Sequence, residues 1–293
     1  MTGNETEMNI WHFRISRRPL TIAAALLGMV SLAIGAHAAL NKRALDAAKA
    51  ISAEHDASAV QRISRLALVI GNGHYPDANA PLTQPINDAR ALTASLRRNG
   101  FEVDVVEDAS KDDMARAIGR LKSKIKPDSV VMLFFGGYGV QAGRESYMIP
   151  VDAAIWKESD VRRDGISIES VLETMKEQGA RAKLVVVDAS RRNPYERRFR
   201  TFSHGLAPIN APDNALILTS ATPGKVADDS KGQHSVLMTE LLNNLNAQVA
   251  GAESVFNKTR VAISRASDGE QVPSVSSSLL EDVSFATSEK AGG

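Results

Sequence analysis

The sequence predicts an α/β fold with three layers, in which helices cover both faces of a mostly parallel sheet. Buried strands are indicated by short, continuous apolar runs rich in valine, and residues 183–193 (KLVVVDASRRN) contain the clearest of them. Segments with helical periodicity alternate with these runs along the chain. Such alternation is typical of βαβ units with right-handed crossovers, so most strands should be parallel.

The first half of the domain should contain three strands and two helices. Residues 65–71 (RLALVIG) form the first strand, and a helix opens at residues 87–88, because asparagine is a good cap and leucines follow on one face. Residues 101–106 alternate apolar and polar side chains and form the second strand. Ser110 begins the second helix, with two aspartates in its first turn, and the third strand starts at Val130.

The second half continues the alternation. Residues 147–150 form a short strand, and residues 168–177 form a helix with its apolar side chains on one face. The strand around Leu184 follows, and residues 215–219 form another buried strand. Two further helices are expected, at 235–246 and 253–267. The serine-rich stretch after them is predicted to be a polar loop, and residues 287–293 are predicted to be a disordered tail.

The N-terminus carries a targeting pattern. Arginines precede an apolar run, and residues 36–38 (AHA) match the small residues of a signal peptidase site, which predicts cleavage after Ala38. Residues 19–40 are also about long enough to span a bilayer, so an uncleaved anchor is the alternative. Residues 1–38 are therefore a signal peptide or membrane anchor, and residues 39–64 a linker or exposed helix. The domain should lie in the periplasm or be secreted, or face the periplasm from the inner membrane.

Composition excludes several kinds of chemistry. The chain has 293 residues and no cysteine, which rules out disulfides, thiolate metal sites and thiol catalysis. A net charge of +1 gives no reason to expect a nucleic-acid partner. The histidines form no metal-binding spacing, and Ser235 after His234 is better explained as a helix cap than as half of a hydrolase dyad.

Polar residues follow two of the buried runs directly. Asp188 and Ser190 come at the end of the valine run, and Tyr138 lies among three glycines after the Val130 run. Ligands bind at the carboxyl ends of strands in open α/β sheets, so these side chains are candidates for a functional site. The alternative is that Asp188 and Ser190 only form a strand-ending turn and that Tyr138 fills another.

These two stretches resemble the caspase-like peptidases, the metacaspases and orthocaspases of peptidase family C14. That family carries Ser-Gly-His-Gly after one strand and Asp-Ala-Cys-Arg or Asp-Ser-Cys after the next, where this chain has Gly-Gly-Tyr-Gly and Asp-Ala-Ser-Arg. The resemblance extends from about Arg65 to Phe285. It includes further motifs in the family's order, at 68–72, 85–89, 149–152, 166–168, 205–207 and 271–273. It implies a three-layer caspase-like domain over residues 65–286, of the bacterial pseudo-orthocaspase kind.

On this resemblance, Tyr138 occupies the position of the family's general base and Ser190 that of its nucleophile. A serine hydroxyl is a poor nucleophile unless a base is positioned against it. Tyrosine has a reference pKa of about 10, so only about one in a thousand is ionised at pH 7. We therefore expect a catalytically inactive pseudopeptidase. The alternative is a hydrolase specific for Arg or Lys that uses Ser190 with Tyr138 as base, and a second is a purely structural protein of the cell envelope.

The resemblance also implies a pocket for a basic side chain, formed by Asp88 and Asp188. Two carboxylates that face one cavity would bind a guanidinium through charge-assisted hydrogen bonds. The expected partner is then a protein or peptide with exposed Arg or Lys. The alternative is that Asp88 is a helix N-terminal charge and Asp188 a turn residue.

Five arginines follow Ser190 within residues 191–200, namely Arg191, Arg192, Arg197, Arg198 and Arg200. One of them could occupy the acidic pocket as a pseudo-substrate, or the loop could simply be solvated. No cofactor is indicated by the residues. Calcium dependence is known among metacaspases, so calcium is implied by the resemblance alone, without identified ligands. A homodimer is a further expectation, and a membrane is a partner only if the N-terminal segment stays uncleaved.

Overall fold

The structure is a computed structural model, and it describes residues 63–76, 81–198, 205–227, 232–246 and 251–285. The chain divides into a unit of residues 1–62 and a unit of residues 63–293, and every described residue belongs to the second. The predicted signal peptide or anchor, most of the predicted linker and the predicted tail lie outside the described residues. In the described part of the chain, no helix combines the length and the apolar character needed to cross a membrane.

The core of the domain is a six-stranded sheet. Its strands are β1 (Arg65–Gly71), β2 (Glu102–Glu107), β3 (Val130–Gly136), β7 (Ala182–Asp188), β8 (Ala215–Thr219) and β9 (Ser274–Ser277). They lie in the order β2-β1-β3-β7-β8-β9. The first five are parallel, and β9 pairs with β8 in the antiparallel direction. The predicted α/β fold with a mostly parallel sheet is confirmed.

Helices cover both faces of this sheet. They are α1 (Gln84–Arg98), α2 (Lys111–Lys124), α4 (Ile168–Glu177), α5 (Val236–Asn246) and α6 (Ala252–Ala266), whereas the short α3 (Glu158–Asp164) packs in a separate apolar cluster through Val161. Residues of α1, α5 and α6 share one apolar core with Leu184 and Val186 of β7. Residues of α2 and α4 share the other with Val185 and Val187. The valine run is thus buried on both sides because alternate side chains of a strand point to opposite faces.

A second, smaller sheet lies beside the carboxyl ends of the main strands. It consists of β4 (Gly139–Ala142), β5 (Glu145–Met148) and β6 (Ile166–Ser167), paired in antiparallel fashion. A separate apolar cluster forms around it and includes Tyr75, Tyr138 and Tyr195. The sequence predicted only one strand here, at 147–150, because β4 and β6 are too short and too rich in Gly and Ser to give a periodic signal.

The first helix begins earlier than the sequence predicted. α1 starts at Gln84, with Pro85 in its first turn, where a residue without an N–H group is tolerated. Asp88 therefore lies one turn inside the helix, and the prediction that residues 87–88 open it was wrong. The N-cap is Thr83, whose side chain makes no capping hydrogen bond.

The C-terminal stretch is also more ordered than a polar loop. The segment predicted as a loop contains β9, which supplies one edge of the main sheet. Beyond it, Val283 and Phe285 are buried against the α1 side of the core. β9 escaped prediction because its sequence, SVSS, has one apolar residue, and its pairing with β8 is what makes it a strand.

Candidate functional site

The sheet order places the Tyr138 loop and the Ser190 loop next to each other. β3 and β7 are neighbours in parallel register, and Gly136 pairs with Asp188 at their carboxyl ends. The N–H of Gly137 donates to the carbonyl of Asp188 at 3.3 Å, and the N–H of Gly139 donates to the carbonyl of Ala189 at 3.2 Å. The two loops that the sequence singled out are therefore joined by backbone hydrogen bonds.

Close packing explains why glycine flanks Tyr138. A Cβ on Gly139 would lie 2.6 Å from Leu206 and 2.9 Å from Ala189, closer than side-chain atoms can approach. Only glycine allows the loop to lie this near to the end of β7.

Tyr75, from the loop after β1, holds Tyr138 in place. Its hydroxyl accepts a hydrogen bond from the N–H of Tyr138 at 3.1 Å and donates to the carbonyl of Ile149 at 3.0 Å. The rings of Tyr75 and Tyr138 meet edge to face, with centroids 4.8 Å apart. Burial raises the pKa of Tyr75 well above its usual range, so its hydroxyl remains protonated and can donate.

Ser190 is buried, and no described residue is hydrogen bonded to its hydroxyl. The residue is 1% exposed, and its Oγ makes no hydrogen bond within the part of the chain that the structure describes. The hydroxyl of Tyr138 is therefore not hydrogen bonded to Ser190. The backbone of Ser190 is well anchored, because its N–H donates to Ser220 Oγ at 3.3 Å and its carbonyl accepts from the N–H of Ala227 at 2.6 Å.

The backbone donors around Ser190 already have partners. The N–H groups of Gly137, Tyr138 and Gly139 donate to Asp188, Tyr75 and Ala189, as described above. The N–H of Ser190 donates to Ser220. Acyl transfer requires preorganised donors directed at the developing oxyanion, often including the N–H of the nucleophile itself. None of these four N–H groups is free for that task in this arrangement.

The two predicted pocket aspartates come from different elements and reach the same side of the sheet. Asp188 continues the alternation of Leu184 and Val186, which face α1, and Asp88 lies on α1. Asp88 is 1% exposed and Asp188 is 3% exposed. Burial, together with the negative charge of Asp188, raises the pKa of Asp88 to about 6. The structure thus brings the two carboxylates close enough to repel each other.

The carboxylate of Asp88 already has two partners. His234 Nδ1 lies 2.8 Å from Asp88 Oδ1, and the N–H of Ser235 donates to Asp88 Oδ2 at 3.2 Å. These contacts favour the ionised form and partly offset the effect of burial on the pKa of Asp88. Asp88 therefore holds the start of α5 in place, which adds a structural contribution to any role in binding.

His234 is the site residue that sequence reasoning passed over. It lies 146 positions from Asp88 in the chain, and no local pattern connects the two. The neighbouring prediction was correct, because Ser235 Oγ accepts a hydrogen bond from the N–H of Met238 and caps α5. His234, the residue before the cap, contacts the buried carboxylate of Asp88 because α5 packs against α1. The sequence alone does not show this packing.

Asp188 has a basic neighbour of its own. Arg191 Nη2 lies 3.9 Å from Asp188 Oδ2, and both side chains are 4% exposed. At this separation the two groups form an ion pair but not a hydrogen bond. Asp188 Oδ2 accepts no hydrogen bond from the described residues. Arg191, the first arginine after Ser190, thus lies beside one of the two aspartates of the predicted acidic pocket.

The remaining arginines of that loop lie elsewhere. Arg198 donates from Nη1 to the carbonyl of Ile155 at 2.7 Å and lies over the ring of Trp156 at 4.5 Å. Arg192 and Arg197 are exposed, and Arg200 lies outside the described residues. The pseudo-substrate hypothesis stays a prediction, and Arg191 is the member of the set that the structure places beside an aspartate.

The described residues contain no group of three or more His, Cys, Asp or Glu side chains that could hold a metal ion. The calcium implied by resemblance therefore gains no ligand set here and stays a prediction.

Comparison with known proteins settles the family. A family model described as the caspase domain, of peptidase family C14, matches residues 64–284. The chain belongs to the caspase domain family. Its predicted membership and its three-layer fold are thereby confirmed. The replacement of the catalytic dyad and the basic pocket stay predictions for this caspase domain.

Two mammalian proteins are similar to part of this chain. Mucosa-associated lymphoid tissue lymphoma translocation protein 1 of Homo sapiens and its Mus musculus homolog are each 27% identical to it over 133 residues. The alignment covers 45% of this chain but 16% of each relative. The chain therefore spans a small share of the length of these relatives.

Proposed function

We propose that this caspase domain is a catalytically inactive pseudopeptidase that binds basic protein segments through Asp88 and Asp188. The observation that carries the proposal is the environment of Ser190, the residue at the nucleophile position. Its hydroxyl is buried and has no base within hydrogen-bond distance among the described residues.

Three requirements of serine hydrolysis are unmet in this arrangement. The nucleophile needs a positioned base, and Ser190 Oγ has none in the described part of the chain. The oxyanion needs preorganised donors, and the nearby N–H groups are already engaged. The substrate carbonyl must reach the hydroxyl, which is buried. Each shortfall alone would slow the reaction, and together they favour a domain that does not cut.

The case for binding depends on the two carboxylates. Like charges buried near each other are unfavourable, and a shared cation relieves the repulsion. A guanidinium is planar and forked, and it can bond two carboxylates at once. Arg191 supplies part of this compensation, since its guanidinium lies 3.9 Å from Asp188 Oδ2. A ligand arginine would take over the contact that Arg191 now makes at 3.9 Å.

The N-terminal pattern supports an exported protein, with cleavage after Ala38 or an uncleaved anchor. We propose the periplasm or the medium as its compartment, and homodimerisation as a further property.

The test of inactivity is a hydrolysis assay of the purified protein on fluorogenic Arg and Lys peptides, with Ser190→Ala as the matched control. Equal background rates for both forms are expected, because no described residue lies within hydrogen-bond distance of Ser190 Oγ to act as its base. Hydrolysis by the unmodified protein that is lost in Ser190→Ala would establish a serine enzyme and refute the proposal.

A further inference from the structure

A turn at residues 278–280, after β9, presents an exposed leucine. Leu280 is 84% exposed, more than any other large apolar residue that the structure describes. The residues before and at the start of β8 hold this turn in place. The N–H of Leu280 donates to Asn214 Oδ1 at 3.2 Å, and the N–H of Ser278 donates to the carbonyl of Ala215 at 2.8 Å. Because its backbone is already fixed, Leu280 would lose little conformational freedom on entering an apolar hollow of a partner.

Acidic side chains flank Leu280. Glu281 follows it in the chain, and Asp213 comes directly before the asparagine that holds the turn. The side chains of Glu281 and Asp213 are 64% and 87% exposed. Their ion-pair partners, Arg181 and Lys176, are less exposed, at 28% and 43%. The carboxylates are therefore the outer members of these pairs, and they give the surface beside Leu280 a negative character.

The outer face of α6 carries a hollow of the opposite character, with a volume of about 400 Å³. Among the described residues, its lining consists of Ser254, Asn257, Lys258, Val261, Ala262 and Arg265. Val261, which is 40% exposed, and Ala262 supply apolar surface. Lys258 and Arg265 supply positive charge, and neither forms an ion pair with a described residue. The hollow therefore suits an apolar side chain that has carboxylates beside it.

We propose that the protein self-associates by inserting Leu280 of one copy into the α6 hollow of another copy. A second copy is the occupant because one chain supplies both halves of the contact, an apolar side chain with acidic neighbours and an apolar hollow with basic neighbours. Leu280 does not line the hollow, so the two surfaces are different. Such a contact is made once in a chain or ring of copies, or twice in a two-fold dimer.

This contact supplies surfaces for the homodimerisation proposed above, and it does not depend on peptide binding. Asn214 precedes β8, so the Leu280 turn lies at the amino end of the main sheet. Asp188 and Ser190 lie at the carboxyl end. The Leu280 turn can therefore contact a second copy without covering the acidic pocket. A contact centred on one leucine is small, so the association should be weak and reversible.

Analytical ultracentrifugation of the purified protein over a range of concentrations measures the association. The unmodified protein should associate more as its concentration rises and less as salt is added, because salt screens the charges at the contact. Leu280→Ser should weaken the association about tenfold or more, because the burial of a leucine side chain is lost. Val226→Ser is the matched control, since it removes an apolar side chain that is 37% exposed in another loop. It should leave the association unchanged.

The hollow is tested by a charge reversal on α6. Arg265→Glu changes the lining and should weaken the association, whereas Arg260→Glu makes the same change on an exposed residue of α6 outside the lining and should leave it unchanged. A mixture of Leu280→Ser and Arg265→Glu should associate more strongly than either variant alone. The first variant retains the hollow and the second retains the leucine, so the mixture can form one intact contact.

The outcomes separate this inference from the proposed homodimerisation. If the unmodified protein is monomeric at every concentration, both are wrong. If it associates but Leu280→Ser and Arg265→Glu leave the association unchanged, another surface such as the outer edge of β9 joins the copies, and only this inference is wrong. If the mixture associates no better than its components, Leu280 does not enter the hollow, and the inference is again wrong.

Discussion

Two buried serines, Ser190 and Ser146, differ in what their hydroxyls contact. Ser146 is fully buried, and its Oγ accepts a hydrogen bond from the N–H of Ala207 at 3.0 Å. Ser190 is equally inaccessible, but its Oγ has no such partner among the described residues. A buried hydroxyl without a partner costs stability, whereas a bonded one contributes to it. Stability therefore offers a test of the site that needs no ligand.

Ser190→Ala should leave the free energy of unfolding unchanged or raise it slightly, because it removes an unbonded polar atom from the interior. Ser146→Ala should lower it by about 1–3 kcal/mol, because the N–H of Ala207 loses its acceptor while remaining buried. Chemical denaturation of the three proteins measures both effects. A large loss on Ser190→Ala would mean that the hydroxyl is bonded and that the account of the site is mistaken.

Asp88 should make stability depend on pH. Burial and the charge of Asp188 raise its pKa from an ordinary 3.8 to about 6. A raised pKa means that the folded state favours the protonated carboxyl, so stability is full below about pH 4 and is lost as pH rises through about 6. Relative to Asp88→Asn, the unmodified protein should lose about 3 kcal/mol between these limits. Denaturation curves for both proteins at pH 4 and pH 7.5 measure the difference.

Asp108 is a control for Asp88, because its pKa is shifted in the opposite direction. Although burial acts to raise the pKa of Asp108, hydrogen bonds from the backbone N–H groups of His74 and Gly73 outweigh it and lower that pKa. Relative to Asp108→Asn, the unmodified protein should therefore lose stability as pH falls below the usual aspartate range. The account of Asp88 would be contradicted if the stability of the unmodified protein changed with pH in the same direction relative to Asp88→Asn and relative to Asp108→Asn.

Among secondary-structure elements, the contact between β1 and α1 positions the acidic site. A Cβ on Gly71, the last residue of β1, would lie 2.5 Å from the carbonyl oxygen of Pro85 and 2.8 Å from Ala89. This contact allows α1 to approach the sheet one turn before Asp88. The position of α1 therefore depends on Gly71, which lies outside the helix. This dependence helps to explain why capping residues alone did not predict where the helix starts.

Gly71→Ala should lower the free energy of unfolding by about 1–3 kcal/mol, because the added methyl group would force α1 away from β1. Gly119→Ala is the matched substitution. Gly119 lies exposed within α2, and a Cβ there would meet no atom within 4 Å. It should raise the free energy of unfolding by about 0.5–1 kcal/mol, since alanine is the better helix former. Thermal or chemical denaturation distinguishes them, and equal effects from the two substitutions would contradict the packing described.

Elements with strong local signals were predicted with the right bounds, and elements made by tertiary contacts were not. The strands at 65–71 and 215–219 and the helix at 168–177 match the structure, because continuous apolar runs and 3.6-residue periodicity are local properties. β9 depends on β8, and β4 and β6 depend on β5, so their own sequences carry little signal.

For the whole molecule, the order of weak motifs predicted the family and the fold that the comparison confirmed. Part of the candidate site could also be predicted from the sequence, because residues that follow neighbouring parallel strands meet at one edge of the sheet. The adjacency of the loop that carries Tyr138 and the loop that carries Asp188 and Ser190 was predicted in this way. The position of His234 was not predicted, because its contact with Asp88 is created by the docking of α5 beside α1.

The most direct measurement of the central claim is titration of the purified protein with a short arginine-containing peptide, followed by mass spectrometry of the recovered peptide. The account predicts binding that weakens at least tenfold in Asp88→Asn, which keeps the size of the side chain but removes its charge. It also predicts that the peptide is recovered intact from the unmodified protein and from Ser190→Ala. Peptide cut after arginine by the unmodified protein alone, or binding that Asp88→Asn leaves unchanged, would contradict it.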